Sequence, residues 1–121
     1  MRGYNKLRKK SWHLLQSELP EELYYHSILH TESSLKICEK YIKYFEIDRY
    51  HAKLLRIGVL LHDIGFTVSL EHHELEGAKI ANKLMTEFEF AKSDIKVVTQ
   101  LILATELPQK PKNLLERIIC D

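Results

Sequence analysis

The chain has 121 residues, of which 45% are hydrophobic and 29% charged, and its formal net charge is +1. That length can bury one sizeable core, and the near-neutral balance excludes the strongly basic surface of a dedicated nucleic-acid binder. No apolar run reaches the ~18 residues a membrane span needs, and the basic start "RGYNKLRKK" has no apolar signal core, so no membrane association and a cytoplasmic protein are expected. Cys38 and Cys120 stand far apart without a CxxC spacing, which argues for free thiols over a disulfide framework or zinc ribbon.

Glycine is scarce, prolines fall at element edges, and no period-2 run of β-branched residues appears, so the reading is all-α. A single domain over residues 1–121, a bundle of about six helices, is expected. A first helix covers about 5–19 and stops at Pro20, with Leu7, Trp12, Leu14, Leu15 and Leu19 inward. The basic cluster in it reads as a solvated helix face. A second helix covers roughly 26–45, with Leu35, Cys38, Tyr41, Ile42 and Phe45 on one buried face. Asp48 is a fair N-cap for a third helix, apolar on most sides and therefore central, that ends near Gly65. A fourth helix is expected over about 73–88, with Leu75, Ala78, Ala81, Leu84, Met85 and Phe88 inward. A fifth opens at Lys92 or Ser93 and carries Ile95, Val98, Leu101 and Ile102. Residues 113–121 begin a sixth, and the chain is read as ending while that helix still runs, as the first part of a longer protein would.

The stretch "LLHDIGF", residues 60–66, places Asp63 directly after the apolar run of the third helix. An ionised carboxylate there costs several kcal/mol unless something pairs with it. Carboxylate and imidazole together suit divalent Mn, Fe, Co, Ni or Zn and, with more water, Mg. Adjacent helical residues project ~100° apart, so His62 and Asp63 can flank one ion but cannot complete its shell. His30, beside the inward stripe of the second helix, is the first candidate for a further ligand. His26 lies one turn earlier on the same face, so "HSILH" could itself grip a metal at two points. Asp121, carried inward by "LLERIIC", is the other candidate. His13, His51 and His72 lie in polar neighbourhoods and read as solvated.

The order His30, His62-Asp63, Asp121 resembles the HD-domain metal-dependent phosphohydrolases. The resemblance runs over almost the whole chain, from about Tyr24 to Asp121. "YYHSILHT" is similar to the family's stretch leading to its first ligand, and "LLHDIGF" to its central motif. "HHELEGAKIA" resembles the His-Glu helix start that commonly follows, and "ILATELPQKPKNLLERIICD" the approach to the last aspartate. The resemblance implies a helical HD bundle and His30, His62, Asp63 and Asp121 as ligands of a divalent metal. It also implies a catalytic part for Asp63, which could hold or accept a proton from the nucleophilic water. His73 and Glu74 match a position where relatives place a substrate-contacting or second-metal residue, and His26 matches a histidine near the first ligand, for which a phosphate contact is expected. After "ILAT" some relatives carry a second-metal histidine. Here Glu106 follows Thr105, so one-metal hydrolysis is better supported than two-metal oxidation.

The expected function is hydrolysis of a small phosphorylated substrate, a nucleotide among the candidates, by a metal-activated water. The alternative is an HD-fold binding or signalling module without turnover. A structural zinc site on His26 and His30 is a third reading, weakened because neither cysteine has suitable spacing. No Gly-rich phosphate loop or base-stacking cluster names the substrate, and nothing in the residues sets the oligomeric state.

Overall fold

The computed structural model describes residues 2–69, 71–106 and 109–120. Among them the chain forms six α-helices and one 3-10 turn, and no strand. The helices are α1 Arg2–Glu18, α2 Glu21–Tyr44, α3 Arg49–Leu61, α4 His73–Glu87, α5 Lys92–Leu103 and α6 Leu114–Cys120, with the 3-10 turn Ile64–Thr67 between α3 and α4.

The centre is α3. Ala52, Leu54, Leu55, Ile57 and Val59 to Leu61 are all buried, so the helix is covered on nearly every side. This is the pattern of a helix surrounded by others rather than lying on a surface. Helices α1, α2, α5 and α6 pack directly on it, and α4 packs against α5 and the 3-10 turn. Asp48 caps α3 by accepting from the His51 amide at 3.0 Å. The Tyr50 hydroxyl donates to Asp94, tying the start of α3 to the start of α5.

On α5 the expected stripe of Ile95, Val98, Leu101 and Ile102 is buried; on α1 Leu7 and Leu15 are buried and Trp12 and Leu14 pack partly buried against the core, whereas Leu19 falls past the end of the helix and is only partly buried. Four expectations need correcting. Helix α2 starts at Glu21, directly after Pro20, five residues before the expected 26. Leu75 is 47% exposed, because α4 turns Glu74, Gly77, Ala78 and Ala81 inward and Leu75 falls beside that stripe. Phe45 is exposed, since α2 ends at Tyr44 and the ring packs on Tyr41 and Tyr44 instead of the core. The α-helical part of α3 ends at Leu61, before His62 and Asp63, rather than near Gly65. Asp63 takes φ −107° and ψ 5°, outside the helical well, and the chain tightens into the 3-10 turn.

Candidate metal centre

His62 and Asp63 sit in the turn where α3 ends, and His30 comes from the middle of α2. The Nε2 atoms of His30 and His62 each lie 3.1 Å from the same Asp63 oxygen, Oδ2. One ligand atom from each of the three residues falls within 4.8 Å of the other two. The remaining nitrogen of His62, Nδ1, is 2.6 Å from the Val59 carbonyl. A carbonyl only accepts, so Nδ1 carries the proton and Nε2 faces Asp63 with its lone pair. A lone pair and a carboxylate oxygen 3.1 Å apart repel unless a proton or a cation lies between them.

The electrostatics express this demand. Burial works against an imidazolium at His62, yet the Asp63 carboxylate and the Val59 carbonyl outweigh it, and the pKa is raised above the ordinary histidine value. Burial pushes Asp63 up, but His62, His30 and His73 outweigh it and hold the carboxyl below its ordinary range. The donors also fit a divalent first-row ion. Ligand atoms about 2.1 Å from such an ion are spaced about 3 Å apart when they are neighbours in its shell. The His62 side chain is only 14% exposed and that of Asp63 21%, whereas that of His30 is 59% exposed, so the cluster opens to solvent on the α2 side.

A second pair borders the cluster. His73 opens α4, and its Nε2 is 2.8 Å from Glu74 Oε2 and 3.9 Å from Asp63 Oδ1. Glu74 is buried, unlike an ordinary acidic residue in a first helical turn. The His73 ring stacks on Phe66, with centroids 4.0 Å apart and planes 11° from parallel. The backbone of Gly65 brings α4 this close. A Cβ there would stand 1.7 Å from the His73 carbonyl oxygen and 2.7 Å from the Gly77 nitrogen.

Of the residues singled out in the sequence, His30, His62 and Asp63 come together, with His73 and Glu74 alongside. His26 is exposed and lines an open depression with Glu21, Glu22 and Tyr25, apart from the three-residue group. Asp121 lies outside the described residues. His13, His51 and His72 are exposed, and His51 pairs with Asp48 at the α3 cap. Three participants were missed: the Val59 carbonyl, the Phe66 ring and the Gly65 backbone. Only Gly65 left a signal, as one of four glycines in the chain and two residues beyond Asp63.

Burial pushes the Cys38 thiol up to about 12, and Cys120 donates to the Ala104 carbonyl at 3.3 Å. Among the described residues no helix is long and apolar enough to cross a membrane. No curated protein and no solved structure matches the chain. The family model of the HD domain matches residues 23–121, a span that contains every member of the cluster. The chain therefore belongs to the HD-domain family, a superfamily of metal-dependent phosphohydrolases.

Proposed function

We propose that this protein is a metal-dependent phosphohydrolase in which His30, His62 and Asp63, with Asp121 as a fourth ligand, hold a divalent Mn, Fe, Co, Ni, Zn or Mg ion. The substrate is a nucleotide or another small phosphate ester. The observation that carries this reading is the convergence of two histidine Nε2 atoms on one Asp63 oxygen at 3.1 Å each. When bound, the ion supplies Lewis acidity, which makes water a usable nucleophile near neutral pH and offsets charge on the phosphoryl oxygens.

The chain's own residues prepare the site. The Val59 carbonyl fixes the His62 tautomer and aims its lone pair at the ion position. Asp63 contributes the negative charge, with Oδ2 toward the two histidines and Oδ1 3.9 Å from His73, and would hold or accept a proton from the nucleophilic water. Glu74, 2.8 Å from His73, adds a buried carboxylate beside the cluster. The exposed face of His30 leaves the approach open, and His26, exposed one turn before it on α2, would contact a phosphate arriving from that side.

A phosphate-release screen of nucleotides, cyclic nucleotides and an aryl phosphate, with Mn, Co, Ni or Mg added, tests the assignment. The expected outcome is turnover of at least one ester that chelator abolishes. Protein that holds its ion and hydrolyses none of them would favour the non-catalytic binding module.

A further inference from the structure

The Nε2 edge of His62 faces Asp63, and the same ring walls a narrow recess of about 60 Å³ between α2, α3 and α6. Cys38, Val59 and Ile118 line the recess and are buried. Ile37 is 50% exposed, so the recess opens to solvent along α2. Among the described residues no carboxylate, lysine or arginine borders it. Ser34, also in its lining, follows His30 by one helical turn, about 6 Å along α2. The recess therefore begins beside the candidate metal cluster.

Such a lining is selective. A phosphate would lose its hydration there without gaining a partner, whereas apolar surface is driven in by its release from water. Apolar cavities stay dry and accept apolar guests, and one of about 150 Å³ holds a benzene ring. The recess has the liquid volume of roughly two waters, which leaves room for roughly two or three methylene-sized groups and is too small for a nucleobase. Tyr41 and Ile118 also line an open depression with Phe45, Leu114 and Arg117, so a longer group would continue from the recess into solvent contact.

We infer that this recess receives the organic group of the phosphate ester, and that the substrate is the ester of a small aliphatic alcohol. The inference rests on the proposed metal site and names the substrate class that site takes. Ile37 at the rim and Cys38 and Ile118 within set the preference for chain length, while the phosphate stays at the cluster.

Calorimetric binding of n-alkylphosphonates, methyl to hexyl, to the Mn²⁺-loaded protein tests this. These compounds share one charged head, differ only in apolar length and cannot be hydrolysed. Kd is expected to fall about fourfold for each of the first two or three added methylenes, and much less for each one beyond. Ser34→Leu fills the recess and should bring the Kd values of methyl- and butylphosphonate together, with circular dichroism verifying the fold. Ile37→Asn makes the half-exposed rim polar and should at least halve the gain per methylene, which keeps the test open if the leucine disturbs packing. Equal Kd values from methyl to butyl in wild type would overturn the inference, and Mn²⁺-dependent binding of methylphosphonate would then leave the metal site standing. A chain-length gain that survives both substitutions, or that persists after chelator treatment, would also overturn it. Mn²⁺-loaded protein that binds none of the phosphonates would remove the phosphate site and this inference together.

Discussion

A Cβ at Gly65 would meet the His73 carbonyl oxygen at 1.7 Å and the Gly77 nitrogen at 2.7 Å, both backbone atoms that cannot rotate away. Gly65→Ala must therefore push α4 off the turn and carry His73 and Glu74 with it. Overpacking of this kind costs about 1–3 kcal/mol or more. The expected result is a lower melting temperature together with reduced turnover, read by thermal unfolding and kinetics on the same preparation. An alanine variant with unchanged stability would show that the close approach is not needed. The pair His62–Asp63 makes a separate prediction for metal-free protein. Asp63 has a depressed pKa, so its contribution is present above the unfolded carboxylate value and is lost as pH falls through the folded one. His62 has a raised pKa, so its contribution is full below the unfolded histidine value and is lost as pH rises through the folded one. The two overlap between about pH 4 and pH 6.5, bounded by the ordinary values of the two groups. Chelator-treated protein should lose part of its stability on either side of that window, and Asp63→Asn should flatten the profile. At this scale the charged members of the site were legible, because a carboxylate and a histidine after an apolar run demand a partner. The Val59 carbonyl and the Phe66 ring were not, since neither a backbone acceptor nor a stacking aromatic stands out in a single sequence.

Helices α2 and α4 end in the same way without a glycine. The Ile47 amide donates to the Ile42 carbonyl at 3.0 Å and the Phe90 amide to the Met85 carbonyl at 2.9 Å. The residues between, Glu46 and Glu89, take φ of 50° and 64°, the left-handed region. This is the Schellman arrangement, which normally recruits glycine because a Cβ is strained there. Glu89→Gly is expected to stabilise the fold by about 0.5–1 kcal/mol, the relieved strain less glycine's added chain entropy. Chemical denaturation measures it, and a destabilised variant would contradict the reading. The start of α6 is conventional by contrast. Asn113 accepts from the Glu116 amide at 2.9 Å, while Glu116 accepts from the Lys112 amide at 3.0 Å. Asn113→Ala should cost about 1 kcal/mol. These ends explain where element reading succeeded. Asp48 and Pro20 are explicit punctuation and placed the start of α3 and the stop of α1 within a residue, and the ends of α2 and α4 also fell within a residue of expectation, whereas α2 starts at Glu21, five residues before the expected 26. The helix that positions the site ran shorter than expected because the 3-10 turn, set by contact with α4, took over its last residues.

The architecture brings candidate ligands separated by more than thirty residues together at one turn. α3 delivers His62 and Asp63 to the core's edge, α2 crosses it with His30, and α4 closes the far side against the 3-10 turn. The all-helical class and the central place of α3 followed from periodicity, since a helix apolar all round has few other places to lie. That His26 would stand apart from the cluster did not, because residues four apart share a helix face without pointing at the same spot. An ion that binds the folded cluster and not the unfolded chain must raise stability. At a free concentration 100 times its Kd the gain is about 2.7 kcal/mol, or roughly 10 °C in Tm for a chain of this size. Removal of the ion with chelator should return that shift, and Asp63→Ala should show none. The most direct measurement combines bound metal with rate. Wild type and Asp63→Ala are compared for Mn²⁺ content and for Mn²⁺-dependent hydrolysis of an aryl phosphate. Wild type is predicted to hold its ion and turn over, and Asp63→Ala to lose both while remaining folded. Full metal content and full activity in folded Asp63→Ala would contradict the account.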